Sequence, residues 1–173
     1  MFISDDLECL EIPLIPDRIK NEISDLAVDV IKKRQDELVH VYEIIQFVFD
    51  KSRKEGLLSL EEVLPDIRKS GAPYVEFFAD YIIPLVDACD KHLILQIMVN
   101  EYTVRKPDDF ESLVLYLYMI AIAFAQDMNR YEFILSREMA WKNMIHIRNE
   151  YLEILPEECR KIFIIPQKLP EVV

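Results

Sequence analysis

Residues 113–125 read LVLYLYMIAIAFA, the longest uninterrupted apolar run in the chain. A run of this length without a charged side chain fits a helix that is apolar on all of its faces, which is typical of the core of a helical bundle. As a helix this run would rise only about 20 Å, less than the ~30 Å hydrocarbon core of a bilayer. We therefore expect a buried core helix and no membrane-spanning segment.

The composition of the chain bounds its class and its partners. It has 173 residues, of which 51% are hydrophobic and 30% are charged, and this suits one folded domain. Asp and Glu outnumber Lys and Arg by 32 to 20, for a formal net charge of −12. This excess of anions disfavours nucleic acid and anionic lipid surfaces, and it favours a basic protein surface as partner.

The cysteines and the N-terminus indicate the compartment. Cys9, Cys89 and Cys159 are an odd number at wide spacing with no CxxC pair, which is typical of reduced thiols rather than of a disulfide framework. The first residues are acidic, without the basic region that precedes the apolar part of a signal peptide. The sequence therefore predicts a cytoplasmic protein.

The chain contains only two glycines and little of the period-two alternation that marks strands. This predicts an all-α fold, a single-domain soluble helical bundle of about five to seven helices. We expect the helical domain to span residues 17–165, between an irregular leader at 1–16 and a frayed tail at 166–173.

The first predicted helix is marked by apolar residues spaced three and four apart, which form one face of a helix. We expect it to begin at Asp17 as its N-cap and to reach Glu55, with a kink near Lys32–Glu37 because an unbroken helix of that length is long for a globular protein. The apolar positions are Ile19, Ile23, Leu26, Val30, Leu38, Val41, Ile45 and Val48.

Proline, glycine and capping residues divide the rest of the chain. The helix that follows residue 59 is expected to end or kink at Pro65, and residues 70–73 are expected to form a turn. Asp108 with Glu111 is a capping box that opens the apolar core helix. The other predicted helices are Tyr74–Cys89 with a bend at Pro84, His92–Val104, and Tyr131–Leu155 before Pro156.

Residues 51–62, KSRKEGLLSLEE, place one of the two glycines between charges of opposite sign. Gly56 suits the position just past a helix, where the backbone needs a positive φ. Ser59 then acts as the next N-cap, with Glu62 completing a capping box. Three cations precede the glycine, where they meet the negative end of the helix dipole: Lys51, Arg53 and Lys54. The end of one helix and the start of the next are enough to explain this pattern without a partner.

Nothing in the sequence supports catalysis. Two glycines cannot build a phosphate-binding loop, and no G-x-S-x-G or HExxH motif is present. We therefore predict that the chain is not an enzyme and holds no cofactor or metal. Two pairs can each share a helix face and are expected to be solvated, namely His40 with Glu43 and His146 with Glu150, with a helical metalloenzyme left as a third possibility. Cys89 and His92 are also close in sequence, but a nucleophile–base pair there would need an orienting group and an oxyanion site, so the cysteine is expected to act as a small hydrophobe.

The stretch 51–62 resembles the cytoplasmic signature of the MotA family of flagellar-motor stator subunits (MotA/TolQ/ExbB). The family pattern is an Ala/Ser-Arg pair, a polar residue or two, a glycine, two apolar residues, a small residue and Leu-Glu. The matching residues here are Lys51-Ser52-Arg53, Gly56, Leu57-Leu58, Ser59 and Leu60-Glu61. Residues 74–102 are similar to the paired helices that follow in the family. Residues 110–150 resemble its post-membrane helix more weakly, with Arg130 where proline is common.

The resemblance implies a contact with another protein and no ion conduction, because the membrane spans and channel-lining residues of the family have no counterpart here. It carries over the charge pair that the family presents to the rotor protein FliG, namely Arg53 and Glu61. The adjacent Lys54 and Glu62 extend this pair, and the acid-ended second helix adds Glu101. The implied partner is a FliG-like rotor or switch protein, or a stator subunit, at the cytoplasmic side of the flagellar motor.

Two interpretations of the elbow at residues 51–62 stay open. In the first, a soluble MotA-like helical protein binds a rotor, switch or stator protein through the outward charges of the elbow. In the second, the chain is a structural or assembly adaptor that homo-oligomerises without rotor contact. Arg53 and Glu61 would then pair within the molecule or across a self-interface. Exposed and unengaged side chains at both positions favour the first.

Overall fold

The computed structural model describes residues 13–26, 28–130 and 137–163. The described residues are helical, with no strand, and they pack as one compact bundle, so the predicted all-α bundle is confirmed. Seven of the helices have eight or more residues, at the upper end of the predicted number. The helices are α1 Asp17–Ser24, α2 Val28–Lys33, α3 Gln35–Glu55, α4 Leu60–Arg68, α5 Val75–Val86, α6 Lys91–Arg105, α7 Asp109–Arg130, α8 Arg137–Ile147 and α9 Glu157–Arg160.

Helix α7 is the centre of the bundle. Every residue from Leu113 to Asp127 is buried, and α3, α5, α6 and α8 all pack against this helix. The helix is longer than its apolar run, so residues 109–129 are long and apolar enough to cross a membrane by length and composition alone. However, 89% of its most apolar 18-residue window is buried inside the bundle, which is typical of the core helix of a soluble protein.

Tyrosine side chains join the central helix to its neighbours. The Tyr116 hydroxyl donates to the Tyr151 carbonyl oxygen at 2.7 Å, and the Tyr118 hydroxyl donates to the Pro73 carbonyl oxygen at the same distance. The Tyr118 ring also stacks on Phe78, with ring centroids 4.7 Å apart. The polar end of each ring is thus satisfied inside the core, as a buried hydroxyl requires.

Burial of tyrosines predicts a loss of stability in alkali. Desolvation raises the pKa of Tyr81 to about 12, with a further contribution from the nearby Glu101 carboxylate. Desolvation also raises the pKa of Tyr116 and Tyr118. Because these folded-state pKa values exceed that of an unfolded tyrosine, about 10, their stabilising effect is complete below that pH and is lost as the pH rises through the folded values.

We therefore expect some tyrosines to ionise only as the helices unfold. The measurement is an alkaline titration that follows tyrosinate absorbance and far-ultraviolet circular dichroism on the same sample. Ionisation of all eight tyrosines near pH ~10 with the helical signal intact would contradict this expectation.

The long first helix is divided into three. Helix α1 ends at Ser24, and α3 begins after Arg34, so the kink predicted near Lys32–Glu37 is confirmed as a break at Arg34. The predicted cap at Asp17 is wrong by one residue, because Pro16 takes the extended N-cap conformation and Asp17 is the first helical residue. The Asp17 carboxylate still lies in the first turn, where the helix dipole favours an anion.

The start of α4 also differs from the prediction. Ser59 has helical backbone angles and its hydroxyl donates to the Gly56 carbonyl oxygen at 2.5 Å, so it forms no capping box with Glu62. Pro65 lies inside α4 without ending it. The carbonyl group that loses its hydrogen bond to Pro65 is that of Glu61, in the first turn of α4, where the residue is exposed.

The capping box predicted before the core helix is confirmed only for its first half. The Asp108 carboxylate accepts the Glu111 backbone N–H at 2.9 Å, while the Glu111 carboxylate accepts from Arg105 instead of closing the box. Helix α6 is one residue longer at each end than predicted, and Asp90 caps it by accepting the His92 backbone N–H at 2.7 Å.

The predicted helices at either side of α6 and α7 are partly confirmed. Pro84 lies inside α5, which continues to Val86. The predicted start of the last helix, at Tyr131, lies outside the described residues. In the described part α8 ends at Ile147, and a π-helical turn at Arg148–Leu152 follows it.

Candidate functional site: a charged elbow between α3 and α4

The elbow at residues 51–62 is a sharp corner formed at one glycine. Gly56 has φ +87° and ψ 164°, and its N–H donates to the Ser52 carbonyl oxygen at 2.8 Å, which closes the last turn of α3. A 3-10 turn at Leu57–Ser59 leads directly into α4. The predicted role of Gly56 as the end of the helix is thus confirmed, because this backbone conformation is open almost only to glycine.

Buried residues fix the elbow to the bundle. Ser52 is buried, and its hydroxyl donates to the Phe49 carbonyl oxygen and accepts from the Asn129 side chain of α7. Leu60 is fully buried on the other side of the corner, and Leu57 packs against the core. The corner is therefore held from both arms and presents its outer side chains in a fixed arrangement.

The four predicted charges of the elbow point into solvent. Arg53 and Lys54 lie in the last turn of α3, and Glu61 and Glu62 lie in the first turn of α4. The side chains of Arg53, Lys54 and Glu61 form no hydrogen bond or ion pair with any residue that the structure describes. The positive and negative pairs are thus available on the two arms of one rigid corner.

The remaining charges of the elbow are engaged locally. Lys51 pairs with Glu55 one turn later on α3. The hydrogen bond that the Lys51 ammonium donates to the Glu55 carboxylate raises the pKa of Lys51, and the charge of Glu62 contributes to the same shift. Lys51 and Glu55 therefore neutralise each other. Glu62 lies close enough to Lys51 to interact with it electrostatically across the corner.

An apolar side chain that the sequence did not single out lies between the two charged arms. Leu58 is 72% exposed, although its neighbours Leu57 and Leu60 turn inward. A leucine in this position has the character of an apolar anchor with a charged rim, the arrangement that many protein interfaces share. The geometry of the 3-10 turn decides which of the leucines faces solvent. The sequence pattern Leu-Leu-Ser-Leu does not reveal which one this is.

Glu101 differs from the other predicted site residues. It lies on α6, is half-buried, and accepts a hydrogen bond from the Tyr81 hydroxyl at 3.3 Å. Its carboxylate also pairs with Arg105, with 3.8 Å between the two charged groups. The bond from Tyr81 links α5 to α6, and the pair with Arg105 lies within α6, so Glu101 is already engaged within the chain.

The histidine and cysteine pairs show no assembled centre. Among residues 13–26, 28–130 and 137–163, no three His, Cys, Asp or Glu side chains come together as a metal site would require. His92 lies 3.1 Å from the Asp90 carboxylate, and its partner in the proposed pair, Cys89, is half-buried. The absence of a metal and of catalysis stays a prediction.

A buried ion pair is the other notable polar feature. Asp127 is fully buried near the end of α7 and accepts from the Lys91 ammonium at 2.5 Å. Next to it, the Gln126 side chain accepts the Lys91 backbone N–H at 3.1 Å and donates to the Cys89 carbonyl oxygen at 2.7 Å. Two adjacent residues of the central helix thus hold the loop that starts α6. The only sequence signal was a Gln-Asp pair that ends the apolar run.

The fold and the elbow define an all-α bundle that presents a fixed, charged corner. Comparison with protein-family models gives no match, and no curated protein or solved structure is significantly similar to the chain.

Proposed function

We propose that this chain is a protein-interaction module that binds another protein through the elbow at residues 51–62. The observation that carries the proposal is the combination of two exposed, opposite charge pairs with Leu58 between them, on a corner that Ser52 and Leu60 fix to the core. Such a corner offers an apolar contact at the centre and directional electrostatics at the rim.

The partner that fits this corner carries the opposite charge pattern. An acidic group faces Arg53 and Lys54, and a basic group faces Glu61 and Glu62. A shifted or inverted partner brings like charges together, which is how charge pairs select a binding orientation. Each exposed pair contributes typically less than ~1 kcal/mol, so the contact is sensitive to salt and exchanges readily.

A rotor, switch or stator protein of the flagellar motor is the specific partner we propose, and this rests on the resemblance of residues 51–62 to the MotA family alone. In this role the chain works in the cytoplasm at the motor and conducts no ions. A reversible contact through weak charge pairs suits a partner that moves past the elbow.

The test is a double charge reversal, Arg53→Glu with Glu61→Arg. Both side chains are exposed and unengaged, so the fold should be unchanged and the affinity for a purified FliG-like rotor protein should fall about tenfold, the sum of two weak pairs. Isothermal titration calorimetry at low and high salt measures this change, and circular dichroism checks the helices.

A matched control reverses another exposed pair, Glu138→Lys with Lys142→Glu on α8, where the charges are one turn apart. This variant should bind the rotor protein like the parent chain. An elbow reversal that leaves the affinity unchanged would remove the site assignment. If the parent chain binds neither rotor nor stator protein, the flagellar partner is wrong.

The second interpretation, an assembly adaptor that homo-oligomerises, also has an observation in its favour. One helix of the bundle, α6, exposes a face that is poor in charge and rich in large apolar side chains. The elbow does not need to take part in such an assembly. Light scattering of the purified chain separates a monomer that awaits a partner from an oligomer.

A further inference from the structure

The outer face of α6 is unlike the rest of the surface. Between residues 93 and 104 the one charged side chain is that of Glu101, which is 36% exposed and is bonded to Tyr81 and Arg105. Helices α1, α3, α4, α5 and α8 each expose at least two acidic or basic side chains. The exposed residues of this α6 face are Leu93, Gln96, Ile97, Asn100, Thr103 and Val104.

Depletion of charge on one face matters in a chain with a formal net charge of −12. Two copies of such a chain repel each other over most of their surfaces. The α6 face is a place where two copies can meet without placing like charges in contact. Charge depletion in a patch that keeps large apolar residues is also the compositional mark of an interface core.

Four exposed positions of this face have the same spacing when they are read in either direction along the helix. Positions 93, 97, 100 and 104 follow each other at intervals of four, three and four residues, the a/d spacing along which paired helices contact each other. The set is symmetric about its own midpoint. In an antiparallel pair of identical helices, Leu93 therefore faces Val104 of the other copy, and Ile97 faces Asn100. Leu93 is 53% exposed and Val104 82% exposed, so both are accessible.

A groove runs along one edge of the face. It has a volume of about 900 Å³, and its lining is mixed in character. The lining includes Leu93, Gln96 and Asn100 of α6, Asp90 and His92 at the start of that helix, and Pro13, Leu14 and Arg18 at the start of α1. An apolar side chain opposite Leu93 finds a recess here. In the antiparallel arrangement that side chain is Val104 of the other copy.

We propose that the α6 face is a homodimer interface, in which α6 packs antiparallel against α6 of a second copy about a two-fold axis. The proposal is independent of the elbow, which lies on other helices.

The dipoles of the two α6 helices favour the antiparallel orientation. An antiparallel pair brings the negative end of each helix dipole to the positive end of the other, whereas a parallel pair would place like ends together. The side-chain charges at the ends of α6 are already engaged within the chain, since Arg105 pairs with Glu101 and Glu111.

The helix that carries the face is rigidly attached to the bundle, as an interface requires. The Tyr102 hydroxyl donates to Glu22 at 2.8 Å, and Arg18 donates to the Thr103 hydroxyl at 2.6 Å, which fixes the C-terminal half of α6 to α1. The bonds of Lys91 to Gln126 and Asp127 fix its N-terminal end to α7. The face is thus presented without a conformational change.

The experiment is sedimentation of the full chain between roughly 1 and 100 μM, the range in which a small interface is half-occupied. We expect a concentration-dependent monomer–dimer equilibrium. The variant Leu93→Lys with Val104→Lys should weaken the dimer at least about tenfold, because each lysine removes an apolar contact and meets another lysine across the axis.

A second variant at the same positions tests the orientation. Leu93→Lys with Val104→Glu places lysine opposite glutamate twice in the antiparallel pair, so dimerisation should recover relative to the double-lysine variant. In a parallel pair this variant would place lysine against lysine and glutamate against glutamate, and no recovery would follow. Circular dichroism establishes that both variants are folded, as expected for exposed positions.

Two further variants serve as controls. Phe47→Lys replaces an exposed apolar residue on α3, at 42% exposure, and should leave the dimer intact. The elbow reversal Arg53→Glu with Glu61→Arg should also dimerise normally, so failure of one proposal does not entail failure of the other. A parent chain that is monomeric over the whole range overturns the homodimer, as does a dimer that the double-lysine variant leaves unchanged. Dimerisation without recovery in the lysine–glutamate variant overturns the antiparallel arrangement.

Discussion

Replacing Lys91 by methionine should lower the free energy of unfolding by about 3–5 kcal/mol, the cost of removing the cation from a buried ion pair. The remaining carboxylate, Asp127, is fully buried near the end of α7 and loses the ammonium group of Lys91. Methionine fills nearly the same volume as the lysine stem, so the loss is electrostatic and does not come from a cavity.

The reverse replacement, Asp127→Asn, should cost less than Lys91→Met. Lys91 retains 7% of its side-chain surface in contact with solvent, whereas Asp127 has none. The long lysine side chain can therefore move its ammonium group to water when its partner is removed, which a short buried aspartate cannot do. Chemical denaturation of the two single variants gives this order directly.

The double replacement Lys91→Met with Asp127→Leu distinguishes the cost of an uncompensated buried charge from the cost of poor side-chain packing. Removing both charges removes the cost of desolvating them, so this variant should be close to the parent chain in stability. Equal losses in all three variants would contradict the electrostatic account.

The ion pair illustrates which parts of the fold the sequence predicts and which it does not. The apolar run at residues 113–125 predicts the central helix because thirteen consecutive residues without a charge leave the helix no polar face to turn towards solvent. How the neighbouring helices attach to this central helix depends on long-range contacts. Asp127 adjoins the run, but its partner Lys91 is 36 residues away, and no local pattern connects them.

The site shows the same division. Gly56 and the charges beside it were predicted from local rules, since a positive φ and a helix end are properties of a few consecutive residues. The exposure of Leu58 was not predicted. It depends on the orientation of the 3-10 turn relative to the core, which is fixed by the burial of Leu60. The wrong capping box at Ser59 has the same origin: once the turn runs directly into α4, its hydroxyl has a nearer acceptor in the Gly56 carbonyl group.

The α6 face was missed for a related reason. Residues 91–105 contain apolar side chains on both sides of the helix, and the sequence alone does not say which side is inside. The structure buries Ile94, Leu95 and Met98 and leaves Leu93 and Ile97 outside. Both stripes have helical spacing, so periodicity predicts the helix correctly but assigns its inner and outer faces only with knowledge of the neighbouring helices.

Replacing Gly56 by alanine should lower the free energy of unfolding by about 1–3 kcal/mol, the strain of an L-residue in a backbone region reserved for glycine. The conformation of φ +87° and ψ 164° is responsible, since a Cβ added at this position meets no atom within 4 Å. The loss is therefore backbone strain without a steric clash. Denaturant unfolding of the variant measures it.

A matched control for this prediction is Gly71→Ala, at the only other glycine of the chain. Gly71 also has a positive φ, +78°, and the Cβ would lie 3.8 Å from a His40 ring carbon, an ordinary contact. Both variants should lose stability, but only Gly56→Ala should weaken binding at the elbow, because relief of its strain turns the arm with Arg53 relative to the arm with Glu61. Equal binding by both variants would mean that the angle of the elbow is irrelevant to recognition.

A D-alanine at position 56, introduced by chemical ligation, separates strain from the added methyl group. A D-residue adopts positive φ without the penalty of its mirror image, so the corner should keep its angle and the chain should recover most of its stability and its binding. If D-alanine weakened binding as much as L-alanine, backbone strain at position 56 would not explain the loss of binding. Recovery instead assigns the role of Gly56 to backbone geometry, with recognition left to the charges and to Leu58.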